Sequence, residues 1–147
     1  MKTLNLQQQL KQIEAKLKSK YIPSAMQTEV AWASKTTMQK HLIEDVYNVY
    51  DSQYENKYHM GGLLDLENIE TKMIDNNTLR IENIRKDEES GRLVAPVIES
   101  GIGYYNSHLD KLIGARPFVE RTADELRSGV AREALRKGLI RNGLDIK

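Results

Sequence analysis

Cysteine is absent from this sequence of 147 residues, which excludes disulfide bonds and thiolate metal sites. An excess of either charge is also missing, because 22 Lys and Arg face 21 Asp and Glu. A net charge of +1 is not typical of a dedicated nucleic-acid-binding protein, whose affinity depends on many cations. No apolar run approaches the roughly 18 residues of a membrane-spanning helix. The Gln-rich residues 1–10 lack the apolar core of a signal peptide.

Histidines at metal-ligand spacing are missing as well. His41 has Glu44 and Asp45 three and four residues later, which indicates a surface ion pair. His59 and His108 fall in predicted loops. We therefore expect no metal site.

Motifs of common enzyme classes are not found either. Ser100 lacks the glycine two residues before it that a nucleophile elbow requires. The segment Gly101-Ile102-Gly103 lacks the third glycine and the preceding strand of a dinucleotide-binding loop. We expect no catalytic residues and no cofactor.

The sequence predicts a first helix over residues 4–18. Its apolar residues Leu6, Leu10, Ile13 and Leu17 share one face. We interpret this face as core, with an alternative as an arm that docks on a neighbouring subunit. Pro23 is expected to end the helix, since a proline disfavours helical geometry at the residue before it.

A second helix is predicted from about Ser24 to Gln53. Its apolar residues follow one face, and Tyr47, Tyr50 and Tyr54 near its end are expected to be half-buried. The face consists of Met26, Val30, Thr37, Leu42, Val46, Val49 and Tyr50.

Alternating side chains then predict a β-hairpin over residues 66–84. A two-residue loop would place Met73 opposite Arg80. A three-residue loop, residues 75–77, places Met73 opposite Leu79 and gathers most apolar residues on one face, so this register is favoured.

The last third predicts a charged loop over residues 85–92, a short helix from Pro96 to Ser100 that Gly101 ends, and a loop over residues 104–115. A final amphipathic helix opens at Pro117 and is capped by Gly143. We expect it to bury Val119, Ala123, Leu126, Val130, Ala134 and Leu139. Its outer face is basic, through Arg132, Arg136, Lys137 and Arg141, and is either solvated or a contact with an acidic neighbour.

Several short motifs occur in a fixed order along these elements. A helical N-terminus leads to Gly61-Gly62-Leu63-Leu64-Asp65 before the hairpin, then to Ile98-Glu99-Ser100-Gly101, Gly103-Tyr104-Tyr105 and Ala115-Arg116-Pro117-Phe118. Over about residues 37–142 the set resembles the tail-completion family of long-tailed bacteriophages, also described as head–tail joining or minor tail components. Many members carry Thr-Gly-x-Leu-Arg where this chain has residues 61–65.

The length indicates one domain over residues 1–147. The resemblance implies an α+β fold for it, in which a small antiparallel sheet, the hairpin 66–84 plus a further strand, packs against a long N-terminal helix and the terminal helix. It also implies a non-enzymatic virion protein, made in the bacterial cytoplasm, at the head-proximal end of the tail. Expected partners are copies of itself in a homo-hexameric ring, neck, tail-terminator or tail-tube proteins, and DNA in the channel, but no membrane. The alternative is a nucleic-acid-binding module using the basic terminal helix.

Specific roles can be assigned to the motif residues. Phe118, beside Pro117, is expected to fill the junction between sheet and helix. Arg116 is expected to pair with Glu99 and so join the two motifs. Gly101 and Gly103 are expected to form turns, with Tyr104 following in the same motif.

Overall fold

A computed structural model describes residues 5–46, 62–101, 105–106, 111–112 and 115–146. These segments form an α+β fold of helices around a β-hairpin, which confirms the predicted fold class. The helices are α1 (Leu6–Lys16), α2 (Ile22–Ala25), α3 (Ala31–Asp45), α4 (Ala95–Ser100), α5 (Phe118–Glu125) and α6 (Ala131–Arg141). The strands are β1 (Ile69–Asp75), β2 (Thr78–Asn83), β3 (Tyr105–Asn106) and β4 (Lys111–Leu112).

Helix α1 begins at Asn5, whose side chain accepts a hydrogen bond from the Gln8 amide at 2.9 Å. The Gln8 side chain in turn accepts from the Asn5 amide, which completes a capping box. The predicted break at Pro23 is wrong, because Ile22 keeps helical angles of φ −65° and ψ −50°. A wider π turn over Leu17–Tyr21 precedes the proline and relaxes the helix where the proline ring and its missing N–H would disturb it. The separate helix predicted over residues 4–18 is therefore the start of a longer one.

The helical backbone continues through α2 and a second π turn, Met26–Val30, into α3. The hairpin packs against this second turn and against α3. The predicted second helix is confirmed as far as Asp45. Its expected continuation to Gln53, with Tyr47, Val49, Tyr50 and Tyr54, lies outside the described residues, as does His59.

The hairpin has the predicted register, with Met73 opposite Leu79 and Thr71 opposite Ile81. Its tip differs from the prediction, because Asp75 pairs with Thr78 and leaves a two-residue turn. A bulge at Ile74 takes up the extra residue, so a tighter turn coexists with the register expected for a longer loop.

The further strand predicted to extend this sheet does not join it in the described part of the chain. Instead, β3 and β4 pair with each other as a separate antiparallel ladder, where a loop was predicted. The predicted short helix is confirmed as α4, and Gly101 ends it with a left-handed φ of 72°. His108 lies outside the described residues.

The C-terminal helix is not continuous as predicted. Gly129 has φ 136° and ψ −13°, and the chain kinks there between α5 and α6. A positive φ of this kind favours glycine, so Gly129 is the position that allows the kink. Pro117 is the N-cap of α5 and not its first helical residue. Gly143, with φ 92°, follows the end of α6 as predicted.

The buried face of these helices differs in part from the predicted stripe. Ala134 and Leu139 are buried as expected, but Val119 is 38% exposed. Thr122 takes the buried position, and its hydroxyl donates to the Phe118 carbonyl at 2.6 Å. A threonine whose hydroxyl forms a hydrogen bond within its own helix can face the core. The helical spacing of apolar residues does not predict such a buried polar position.

Close packing of α6 on α2 depends on Gly138. A Cβ at this position would overlap with Ala25, which is itself fully buried. The two helices can therefore approach only where neither carries a larger side chain.

One hydrophobic core joins α3, the hairpin, α4 and α5. Phe118 is 0% exposed at its centre, as the sequence predicts. The core consists of Met38, Leu42, Val46, Leu63, Leu64, Ile69, Ala95, Ile98 and Phe118. Among the described residues, no helix combines the length and apolar character needed to cross a bilayer.

We expect Phe118→Ala to lower the free energy of unfolding by about 3–5 kcal/mol, because it removes a fully buried ring and leaves a cavity. Chemical denaturation measures the change. Val119→Ala, at the exposed neighbouring position, is the control, and we expect it to change stability by less than about 1 kcal/mol. Equal effects of the two substitutions would contradict the placement of Phe118.

Candidate interaction site

The two motifs Ile98–Gly101 and Ala115–Phe118 meet at the start of α5. Helix α4 places the Glu99 carboxylate against the amides of Val119 and Glu120, which donate to it at 2.9 and 3.0 Å. The Arg116 amide donates to the Ile98 carbonyl at 2.9 Å. A carboxylate at a helix N-terminus satisfies otherwise unpaired amides and complements the positive end of the helix dipole. Glu99 therefore attaches α4 to α5.

The predicted ion pair between Arg116 and Glu99 is wrong, since it is not among the ion pairs of the described residues. Both Glu99 oxygens already accept backbone hydrogen bonds. The Arg116 Nε atom is buried and has no hydrogen-bond partner. Gly103 and Tyr104, the other predicted motif residues, lie outside the described residues.

The segment before the hairpin is also part of the fold. Leu63 and Leu64 are buried in the core. Their carbonyls accept hydrogen bonds from side-chain amides, at 2.9 Å from Asn83 and 2.7 Å from Gln39. Gly61, the first residue of this motif, is outside the described part of the chain.

We expect Glu99→Ala to lower the free energy of unfolding by about 0.5–2 kcal/mol, because two amides at the start of α5 lose their acceptor. Thermal denaturation measures the loss. The reversed pair, Glu99→Arg with Arg116→Glu, separates capping from ion pairing. Capping predicts that the second substitution restores nothing, so recovery of wild-type stability in the double variant would contradict it.

A second polar cluster lies between α3 and α5. His41 Nε2 is 2.7 Å from Glu125 Oε2, although the His41 side chain is only 6% exposed. Lys40 Nζ donates to the other Glu125 oxygen at 2.6 Å. The prediction placed His41 at the surface, and this is wrong, because the His41 side chain is buried. Its hydrogen-bonding partner Glu125 comes from a distant helix.

Further charges surround His41. Arg121 pairs with Asp45 and lies 3.7 Å from Glu44. The His41 Nδ1 atom is 3.7 Å from Glu44 Oε2 and 3.9 Å from Asp45 Oδ2, both beyond hydrogen-bond distance. Among the described residues, no three His, Asp or Glu side chains are arranged to hold a metal ion. The charges of the cluster instead hold α5 against α3.

Hydrogen bonding shifts the pKa values of this cluster. The hydrogen bond from Lys40, followed by that from His41, lowers the pKa of Glu125 below its ordinary value of 4.5. The same contact raises the pKa of Lys40. Glu125 is therefore a carboxylate whose ionised form stabilises the folded state.

We expect Glu125→Gln to destabilise the protein at pH 7 by about 0.5–1 kcal/mol, because the pair with Lys40 is partly exposed. The folded-state pKa of Glu125 is lowered, so the contribution of its charge is complete above pH 4.5 and is lost as the pH falls through the folded value. Urea titrations at several pH values measure the difference from wild type.

Asp124→Asn is the control, since the Asp124 side chain is 67% exposed. We expect little effect of this substitution at pH 7. A wild-type to Glu125→Gln difference that stays constant from pH 7 down to pH 3 would contradict the assignment.

The basic residues predicted as an interface on the last helix divide into two groups. Arg141 pairs with Glu29 and donates to the Ser24 hydroxyl at 2.9 Å, and Arg136 pairs with Glu133. Arg132 and Lys137 are exposed. The contact of Arg141 lowers the pKa of Glu29 and holds α6 to the N-terminal helix.

The described part of the chain exposes an apolar helix face and an apolar groove. Leu6, Leu10 and Ile13, here called the α1 stripe, are 70%, 56% and 54% exposed. Their interpretation as core is wrong, since no residue of α1 is buried. The second surface is an open groove of about 560 Å³, here called the α3–α6 groove. It is lined by Glu29, Trp32, Ala33, Ser128, Gly129, Val130, Glu133, Ala134 and Lys137.

Sequence periodicity gives no signal for this groove. Trp32 is 58% exposed, and the kink at Gly129 forms part of the wall. The groove forms only because α6 packs beside the N-terminal helix, and this packing cannot be predicted from the spacing of apolar residues.

The YomN family model matches residues 9–141. This chain belongs to the YomN family. One relative is the SPbeta prophage-derived uncharacterized protein YomN of Bacillus subtilis strain 168. It is 36% identical over 110 residues, which cover 74% of each chain. No solved structure matches the chain. The family and this prophage relative support a phage origin for the chain.

Proposed function

We propose that this YomN-family protein is a structural component of the virion. In this proposal it is a tail-completion or head–tail joining subunit, which forms a homo-hexameric ring at the head-proximal end of the tail. The observation that carries the proposal is the similarity to a prophage-derived protein over 74% of the chain. The resemblance of the ordered motifs to those of tail-completion proteins supports a place in the neck.

The roles of the motif residues support a structural protein. Glu99 caps a helix, Phe118 fills the core, and the segment of Leu63 and Leu64 contributes to the same core. Charged groups near His41 are engaged in contacts between helices. We therefore propose that the protein has no enzymatic activity and acts by binding copies of itself and neighbouring neck, tail-terminator or tail-tube proteins.

Nucleic-acid binding by the basic terminal helix is the second candidate. Two of its four predicted contact residues, Arg136 and Arg141, already pair with glutamates, which leaves few cations for phosphates. The net charge of +1 points the same way. Contact with DNA in the channel is thus a minor part of the proposed function.

Deletion of the gene from its phage tests the proposal. We expect filled capsids and separate tails to accumulate in lysates of the deletion, as seen by electron microscopy, because the joining subunit is missing. A plasmid copy of the wild-type gene should restore joined particles. Normal yields of joined, infectious particles from the deletion would contradict the proposed function.

A further inference from the structure

We propose that Asn142 is a site of spontaneous deamidation, and that the packing of α6 on the N-terminal helix controls how fast it reacts. Asn142 and Gly143 form the one Asn-Gly pair of the sequence. Asparagine is chemically labile in proteins, and a following glycine has no side chain to hinder its own backbone nitrogen. This inference does not depend on the proposed function in the neck.

The reaction joins the backbone nitrogen of Gly143 to the side chain of Asn142. The nitrogen loses its proton to a base in the solvent and attacks the Asn142 Cγ atom, which closes a cyclic imide. The Cγ–Nδ2 bond breaks, and Nδ2 leaves as ammonia. Water then opens the imide at either of its carbonyl carbons and gives aspartate or isoaspartate. Solvent supplies every co-reactant, and no atom is oxidised or reduced.

The end of α6 holds the attacking nitrogen in a hydrogen bond. Gly143 has a left-handed φ of 92°, and its N–H donates to the Ile140 carbonyl at 2.9 Å. The Leu144 N–H donates to the Leu139 carbonyl at 3.1 Å. A left-handed glycine with these two bonds forms a Schellman motif. While the motif persists, the proton that must leave Gly143 is engaged.

Backbone geometry also keeps the two reacting groups apart. Asn142 has a ψ angle of 6°, at which the Gly143 nitrogen nearly eclipses the backbone nitrogen of Asn142 and not its Cβ atom. Closure of the imide ring therefore requires rotation about the Asn142 Cα–C bond. That rotation moves Gly143 out of the Schellman motif, so the reactive arrangement is reached only when the end of α6 opens.

The side-chain amide of Asn142 is held as well. Its Nδ2 atom donates to the Gly138 carbonyl at 2.8 Å and to the Ser24 hydroxyl at 3.3 Å. The first hydrogen bond ties the amide to α6, and the second ties it to α2. Both acceptors restrain the side chain from turning towards the Gly143 nitrogen.

Contacts between α6 and the N-terminal helix determine how readily this end opens. Arg141, the residue before Asn142, pairs with Glu29 and donates to the Ser24 hydroxyl at 2.9 Å. The hydroxyl of Ser24 thus contacts two successive residues at the end of α6. Helix ends open locally at a cost set by such contacts. Gly143 is exposed, so water and base reach it once the end opens.

Deamidation weakens the packing that restrains it. The aspartate product has no N–H to donate to the Gly138 carbonyl. Its negative charge lies at the C-terminal end of α6, where the helix dipole is also negative. Isoaspartate in addition lengthens the backbone by a methylene group at the helix cap. The modification is therefore an irreversible change that loosens α6 from the N-terminal helix.

Mass spectrometry of the full-length protein tests the control of the rate by folding. The wild type is incubated at mildly alkaline pH, folded in buffer and unfolded in guanidinium chloride. Deamidation of Asn142 is quantified in the peptide 138–147, which cleavage after Lys137 releases. We expect the unfolded chain to react about tenfold faster or more, because unfolding removes the helix cap. Equal rates, or no reaction in the unfolded chain, would overturn the inference.

Two variants test the role of α6 packing in the folded protein. Glu29→Ala removes the partner of Arg141 on the N-terminal helix, whereas Glu133→Ala removes the partner of Arg136 within α6 itself. Neither substitution changes the sequence around Asn142, and circular dichroism verifies that both variants fold. We expect Glu29→Ala to deamidate about 2- to 5-fold faster than wild type, since one partly exposed ion pair is lost. Glu133→Ala should match wild type, and equal rates in the two variants would contradict control by α6 packing.

Thermal melting tests the consequence of the modification. Asn142→Asp represents the aspartate product, and we expect its melting temperature to lie about 2–4 °C below that of wild type, because a hydrogen bond at the helix end is lost. Gln12→Glu makes the same amide-to-acid change at an exposed position of α1 and should melt like wild type. Equal melting temperatures of Asn142→Asp and wild type would show that deamidation does not loosen α6.

Discussion

Attachment of α5 to the rest of the molecule is the constraint on which the structure depends. The attachment has two parts that act at the same helix start. Phe118 is wholly buried in the core that also contains residues of α3, the hairpin and α4, while the Glu99 carboxylate accepts hydrogen bonds from the amides of the next two residues. Burial of a large ring typically contributes more stability than a helix cap does, and the carboxylate fixes where the helix begins. Residues far apart in the sequence are thereby brought into one core.

The polar contacts between helices extend this attachment along the chain. Glu125 joins α5 to α3 through Lys40 and His41, and Arg141 joins α6 to the N-terminal helix through Glu29. These charges are used inside the molecule. Among the described residues, the α1 stripe and the α3–α6 groove are exposed apolar surfaces.

Local patterns predicted the elements well where one physical signal dominated. The hairpin register followed from alternation of apolar residues, and the end of α4 followed from Gly101. The core position of Phe118 was also correct. The expectation that Pro23 ends the helix was wrong, because a π turn before the proline relieves the clash. No local sequence pattern predicts such a turn.

Contacts over long sequence distances were not predictable in the same way. The pairing of Arg116 with Glu99 was proposed from opposite charge, yet backbone amides occupy the carboxylate. The cluster of His41, Glu125 and Arg121 requires α3 and α5 to lie side by side, which a single sequence does not state. The exposure of the α1 stripe is likewise visible only once the rest of the molecule is placed.

Electron cryomicroscopy of the neck in intact particles tests the central claim most directly. The claim is that this chain acts by fitting against copies of itself between capsid and tail. It predicts a closed ring of this chain at the head-proximal end of the tail. Particles that join capsid to tail and contain no copy of the chain would contradict it.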